Sequence, residues 1–264
     1  MPFETVRVGE LEYETASCIA APHCFTTRLG GVSQGHLAAL NLGHRRGDRP
    51  GNVMENYRIL GRAMGFSVRD VVFTKQIHTD CVERVGRAQR GQGLMVPVPS
   101  GRDGLITDEA DVTLTVFGAD CTPILLYDPV RQAVGACHAG WRGTALGIAA
   151  KTVRAMQREF GCAPGDIRAA IGPCIGVCCF QTDGDVPQAM RQALGASAEP
   201  AIHGTGPKYQ VDLKLLNRIW LEQAGVRQVE VSPDCTACQP LRYWSHRVSG
   251  GLRGSQAALI RLPY

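Results

Sequence analysis

The chain has 264 residues, 44% of them hydrophobic, and a formal net charge of +4. That length suits one large domain or two small ones with a sizeable core, and the charge is too dispersed for a nucleic-acid-binding face, although small anionic substrates stay open. No apolar run reaches the roughly 18 residues of a membrane-spanning helix, so no membrane partner is expected.

The opening segment from Met1 to Glu14 carries Glu4, Arg7, Glu10, Glu12 and Glu14, which breaks up the apolar stretch of a secretory signal. The expected location is therefore cytoplasmic. The 11 cysteines are odd in number and, in a reducing compartment, are expected to be thiols rather than a disulfide framework.

In chain order, Val71 to Ile77 reads as a strand ending at His78. Gly86 to Gly104, rich in Gly, Pro and Arg, reads as an exposed loop. Val112–Phe117 is β-rich, and Pro123–Tyr127 and Ala133–Cys137 are short apolar runs, with Gly118-Ala119-Asp120-Cys121 as a turn between the first two. From Thr144 to Phe160, Ala145, Ile148, Ala149, Val153, Met156 and Phe160 recur at helical spacing, and Gly161 is a natural stop. Asp212 is positioned to cap a second helix that turns Leu213, Leu216 and Trp220 inward and ends near Gly225. Val229–Val231 and Ala257–Leu262 close the series as strands. Regular βαβ alternation is missing, so mixed α/β architecture with partly antiparallel sheets is expected. No composition break appears, which favours a single domain over residues 1–264 and, without heptads, a monomer.

The chemistry concentrates at strand ends and turns. His78, Cys121 and His138 each sit at such a position. Imidazole and thiolate are zinc ligands, and catalytic zinc commonly takes three protein ligands with a fourth position open. The three are far apart in sequence and match no short zinc signature. Satisfied polar histidines with a core cysteine, or a Cys–His nucleophile pair, therefore remain as alternatives. His138 is followed by Gly140-Trp141-Arg142-Gly143 just before a helix, where Arg142 would favour an anion unless it makes a structural ion pair. Cys235 and Cys238 form a C-x-x-C, and Cys174, Cys178 and Cys179 a second cluster. Either a second, structural zinc site or plain thiols fits them. Asn41, near Asp48, and Arg247 are candidates for substrate contact that spacing does not single out. Asp120, beside Cys121, is a candidate outer partner or proton-transfer group, or else a turn stabiliser.

Four strings, QIHTDCV, DGLITDEADVTLTVFGADCTPILLYDP, VGACHAGWRGTALGI and AAIGPCIGVCC, resemble the polyphenol oxidase or laccase-domain family, whose members act as purine nucleoside phosphorylases with adenosine deaminase activity. The resemblance runs from about Asn41 to Leu262. It implies a β-sandwich flanked by helices in four layers, zinc on His78, Cys121 and His138, and a purine nucleoside and phosphate as substrates. Thr79, Gly118 and Cys179-Phe180-Gln181 depart from the family's usual Gly, Thr and Cys-Tyr-Glu. Those departures leave the ligands alone and bear on substrate preference.

Three rivals stand beside this reading. A copper phenol oxidase needs several copper centres, and 7 histidines are few for that. A Cys–His amide hydrolase, for instance one editing a peptidoglycan precursor, would use Cys121 as a free thiolate. A non-enzymatic binding role lacks an exposed amphipathic segment to support it.

Overall fold

The computed structural model describes residues 3–263; Met1, where the charged opening segment begins, lies outside them. The strands are β1 (Phe3–Val8), β2 (Leu11–Ala16), β3 (His23–Thr26), β4 (Val71–Phe73), β5 (Val82–Arg84), β6 (Gly104–Thr107), β7 (Thr113–Gly118), β8 (Thr122–Asp128), β9 (Ala133–Ala139), β10 (Arg168–Ile171), β11 (Gln181–Thr182), β12 (Ile202–His203), β13 (Tyr209–Val211), β14 (Gln228–Val231) and β15 (Gln256–Ile260). The helices are α1 (Pro50–Met64), α2 (Trp141–Ala145), α3 (Ile148–Phe160), α4 (Asp185–Leu194), α5 (Leu213–Gln223) and α6 (His246–Ser249).

One six-stranded sheet runs β1-β2-β3-β15-β7-β4 and a second runs β14-β10-β8-β9-β6-β5; β11, β13 and β12 form a small third sheet. Pairing is mostly antiparallel, with β4·β7, β5·β6 and β10·β14 parallel. The two large sheets pack face to face. Phe25, Leu114, Val116, Ala258 and Ile260 of the first meet Leu105, Leu125, Val134, Ala136 and Ala170 of the second in one apolar cluster. The alternate residues point outward and are buried too. Leu11, Val71, Phe73 and Leu259 pack on Val53, Tyr57 and Leu60 of α1. Ile124, Leu126, Cys137 and Ala169 pack on Ile148, Val153 and Met156 of α3 and Leu221 of α5. The result is the four-layer sandwich with flanking helices. Burial on both faces is why β8 and β9 read as continuous apolar runs rather than alternating ones. Each fully buried Leu, Ile or Met in these layers contributes about 1.5–3 kcal/mol.

The Gly86–Gly104 loop, expected to be exposed, buries Arg102 and Asp103 fully and runs into β6 at Gly104, and two regular elements also differ from the sequence reading. The strand after Val71 ends at Phe73, not Ile77. Beyond it the Gln76 side chain takes over the strand's role: its Oε1 accepts from Phe117 N and its Nε2 donates to Phe117 O. The helix expected over Thr144–Phe160 is two helices, because Gly147 has φ +72° and breaks the run between α2 and α3. The Asp212 cap forms as expected, with its side chain accepting from Leu215 N at 3.0 Å, and Gly225 follows α5 at φ +94°. No helix among the described residues is long and apolar enough to cross a membrane.

Candidate metal centre

The β8–β9 hairpin brings two of the three candidate ligands together. Its register sets Pro123 opposite His138 and Thr122 opposite Ala139, so Cys121, in the turn before β8, lies beside His138. The third, His78, arrives from the segment that leaves β4. His78 Nε2 is 3.9 Å from Cys121 Sγ, and the His78 and His138 rings meet edge to face with centroids 4.9 Å apart. The ligand atoms of His78, Cys121 and His138 all lie within 4.8 Å of one another, a spacing that fits one ion. His138 is buried, Cys121 half-buried and His78 exposed, so the group opens to solvent on the His78 side.

Asp103 builds this arrangement, and the sequence reading did not single it out. It immediately precedes β6, and its carbonyl accepts from His138 N at 2.8 Å as β6 pairs with β9. Its fully buried carboxylate has four partners. Oδ2 accepts from the backbone N–H groups of Ile77 at 3.0 Å and Thr79 at 3.1 Å. Oδ1 accepts from His78 N at 3.1 Å and faces His138 Nδ1 at 2.8 Å. One carboxylate thus folds the His78 loop and orients the His138 ring. A His138 Nδ1–H donated to Asp103 leaves Nε2 as the free lone pair, the arrangement common to metal-binding histidines.

The electrostatics follow from the same contacts. Burial works against the Asp103 charge, but His138 and the N–H groups of Ile77 and Thr79 outweigh it and hold the carboxyl below its ordinary range. Burial likewise opposes ionisation of Cys121, yet His138 and His78 bring its thiol down to about 6. Against the pull of burial, Cys121 and Asp103 push His138 up to about 9. Gly140 leaves room for the candidate ligands: a Cβ there would lie 2.7 Å from His78 Cδ2 and 3.2 Å from Cys121 Sγ.

The remaining sequence candidates occupy varied positions. Asp120 holds the turn: its Oδ1 accepts from the Thr236 hydroxyl at 2.7 Å, its Oδ2 from Arg247 N at 2.7 Å, and its carbonyl from Ile175 N at 3.0 Å. The Arg247 guanidinium donates to the carbonyls of Cys179 and Gln181. Asn41 is fully buried; its amide donates to Gly43 O and Asp48 and accepts from Gly43 N and Ser255 N. Arg142 is exposed in the short α2, with its guanidinium 4.2 Å from the Trp141 ring centre.

Two further arginines gather near the candidate ligands without a sequence signal. Arg46 Nε donates to Ser255 Oγ at 3.3 Å, and Arg253 donates to the same oxygen at 3.2 Å. Burial and the neighbouring Arg46 lower Arg253 to about 10, while Asp120 and Cys121 oppose that shift. Arg46, Lys75, Gln76, Phe117 and Ser255 line a cleft of about 270 Å³.

Residues 22–263 match the family described as multi-copper polyphenol oxidoreductase laccase. The chain is 40% identical over 241 residues to the purine nucleoside phosphorylase YlmD of Geobacillus stearothermophilus, covering 89% of this chain and 88% of that one. It is 37% identical over 246 residues to a purine nucleoside phosphorylase of Deinococcus radiodurans, covering 93% and 90%. The crystal structure of the Geobacillus YlmD superposes with a TM-score of 0.93 at 37% identity, covering 100% of this chain and 99% of that one. A hypothetical protein, YfiH, from Bacillus licheniformis gives the same TM-score at 35% identity, covering 99% of each chain. With the same four-layer fold and a match over nearly the whole chain, this protein belongs to the laccase-domain polyphenol oxidoreductase family, of which the Geobacillus and Deinococcus relatives carry the name purine nucleoside phosphorylase.

Proposed function

We propose that the protein is a zinc-dependent purine nucleoside phosphorylase that cleaves adenosine, inosine, guanosine or methylthioadenosine with phosphate and also deaminates adenosine. The observation that carries this reading is the convergence of His78, Cys121 and His138 around one point, with Asp103 fixing the His138 ring. The names of the Geobacillus and Deinococcus relatives supply the substrate class. The donor set, two imidazoles and a thiolate, fits zinc with a position left over. When bound there, the ion supplies Lewis acidity at that open position.

The chain's own groups do the rest. Asp103 keeps the Nε2 lone pair of His138 aimed at the site. Arg46 and Arg253, with Arg142 from α2, provide guanidinium groups for phosphate oxygens. Phosphorolysis forms a bond from a phosphate oxygen to C1′ and breaks the C1′–N9 bond, and the purine leaves with a proton. The ligand groups among the described residues are two, and only one contains histidine. That favours a mononuclear site over the several copper centres in the family's description.

The test is chromatography of adenosine incubated with phosphate, beside elemental analysis of the purified chain. Adenine or inosine should appear, and both the products and the metal at this site should be lost in Cys121→Ala. A metal-free Cys121→Ala variant with full activity would sink the scheme. The low thiol of Cys121 also favours a second reading, a Cys–His hydrolase acting on an amide. Iodoacetamide separates the two: it should spare Cys121 in the metal-loaded protein and label it rapidly if the residue is a free nucleophile. Copper content with phenol oxidation would return the protein to its family's literal description.

A further inference from the structure

We propose that Cys178, Cys179, Cys235 and Cys238 form a tetrathiolate zinc site, separate from the His78, Cys121 and His138 group, that staples together the two loops clamping Asp120. The four Sγ atoms lie within 4.8 Å of one another. Cys238 Sγ is 3.5 Å from Cys178 Sγ and 3.4 Å from Cys179 Sγ. A tetrahedral ion with bonds of about 2.3 Å places its sulfurs about 3.8 Å apart, so the cluster already has the dimensions of one such site. An iron–sulfur cluster, with several irons and bridging sulfides between its thiolates, needs a wider spread. Thiolate-only coordination selects zinc over harder divalent ions.

The surrounding backbone matches that chemistry. Gly176 N donates to Cys235 Sγ at 3.1 Å, and the Cys238 backbone N–H serves the same sulfur. Such N–H···S contacts stabilise a coordinated thiolate and orient it. A Cβ on Gly176 would lie 3.2 Å from Cys235 Cβ and 3.3 Å from Cys178 Sγ, so the glycine permits the close approach. The two segments are registered before any ion is considered: Cys174 and Cys235 form a parallel bridge, and Thr236 N donates to Cys174 O at 3.0 Å.

The placement gives the site a purpose. Ile175, in the first segment, donates its N–H to Asp120 O, and Thr236, in the second, donates its hydroxyl to Asp120 Oδ1. Asp120 is the residue before Cys121, at φ +87°. An ion joining the two segments therefore tightens both arms of the clamp behind the Cys121 turn. It touches no reacting atom, and its role is positioning.

The experiment uses the full chain carrying His78→Ala and Cys121→Ser, which removes the first group and isolates the second. Cobalt(II) titrated into the reduced protein should bind at one equivalent, with the sulfur-to-cobalt charge-transfer bands and tetrahedral d–d absorption of four thiolates. Adding Cys238→Ser should abolish that spectrum. Should the triple variant fail to fold, X-ray absorption of the zinc-loaded double variant decides: a shell of four sulfurs at about 2.3 Å supports the site. No cobalt uptake, a spectrum of fewer thiolates, or a metal-free chain whose mass shows these cysteines as disulfides would overturn it. Because the His78 group is absent throughout, failure of the proposed catalytic function leaves this result unaffected.

Discussion

Replacing Asp103 by Asn tests the metal centre at its support rather than at its ligands. In the wild type, Oδ2 accepts from Ile77 N and Thr79 N, while Oδ1 accepts from His78 N and faces His138 Nδ1. An amide has one acceptor and one donor end. With its oxygen on the His138 side, the NH₂ group confronts the N–H groups of Ile77 and Thr79, and two charge-assisted bonds are lost at about 1.5–3 kcal/mol each. With its oxygen on the other side, only the His78 N–H bond is lost, because the NH₂ group donates to His138 Nδ1. That second orientation is the cheaper, and it moves the imidazole proton to Nε2, where the metal's lone pair should be. The expected outcome is a stability loss of about 1.5–3 kcal/mol and a metal affinity weakened by roughly 10–100-fold or more. Competition against a chromophoric zinc chelator measures the affinity, urea melts of the metal-free protein measure the stability, and ¹⁵N chemical shifts of His138 report the tautomer. Unchanged affinity with the proton still on Nδ1 would refute the reasoning.

Gly140→Ala should separate metal binding from folding. The backbone there (φ −65°, ψ 168°) suits alanine, but the new Cβ would sit 2.7 Å from His78 Cδ2. The exposed His78 ring must move, so metal affinity should fall by roughly tenfold or more while the urea midpoint holds; a normal affinity would show that His78 is not a ligand. Glu14 predicts a pH dependence of stability away from the metal. Burial raises its carboxyl to about 7 from 4.5, although Tyr243 and Arg242 oppose the shift, and its Oε2 has no partner. A raised folded value means the folded state keeps the proton longer, so this stabilisation is complete below about 4.5 and is lost as pH rises through about 7. At about 1.4 kcal/mol per pH decade the swing is about 3 kcal/mol. Glu14→Gln should therefore gain stability over wild type at pH values above 7 relative to its standing near pH 4.5, and parallel urea-stability profiles for the two proteins would contradict it.

Legibility in the sequence depended on whether a feature was local. β8 and β9 announced themselves because both faces of their sheet are covered, so Pro123–Tyr127 and Ala133–Cys137 are continuous apolar runs. The Asp212 cap uses short-range chemistry and formed as expected; the Gly118–Cys121 turn formed too, although its Asp120 is held by Ile175, Thr236 and Arg247 from distant stretches of chain. The helix break was hidden because Ala145, Ile148 and Ala149 keep their periodicity across Gly147; what stops the helix is a left-handed φ, which leaves no mark on the hydrophobic pattern. The overlong strand after Val71 has a similar cause: Gln76 replaces main-chain pairing with its amide, and apolar Ile77 disguises the departure. His78, Cys121 and His138 were visible as residue types at strand ends, and the family resemblance gathered them. Asp103 was not, since it lies at the end of a Gly- and Pro-rich loop and serves His78 and His138 from a distant stretch of chain. Arg46 and Arg253 are brought together by tertiary contacts alone.

Two residues of the candidate centre share an unusual backbone. His78 at φ +61° and Asp120 at φ +87° are two of the three non-glycine residues in the left-handed region among those described. Such a conformation costs about 1–3 kcal/mol for a residue with a side chain and persists only where surrounding contacts over-determine it. Both are over-determined. Three consecutive N–H groups around His78 close on the Asp103 carboxylate, and Asp120 is held through both carboxylate oxygens and its carbonyl. The strain and its compensation are thus both protein-borne, and neither needs an ion to be in place. On the proposed reading the three candidate ligands are preorganised, and metal should bind with little backbone rearrangement. The free energy of metal binding then appears as affinity rather than being consumed in folding the loops, unlike in small domains that fold only around their metal.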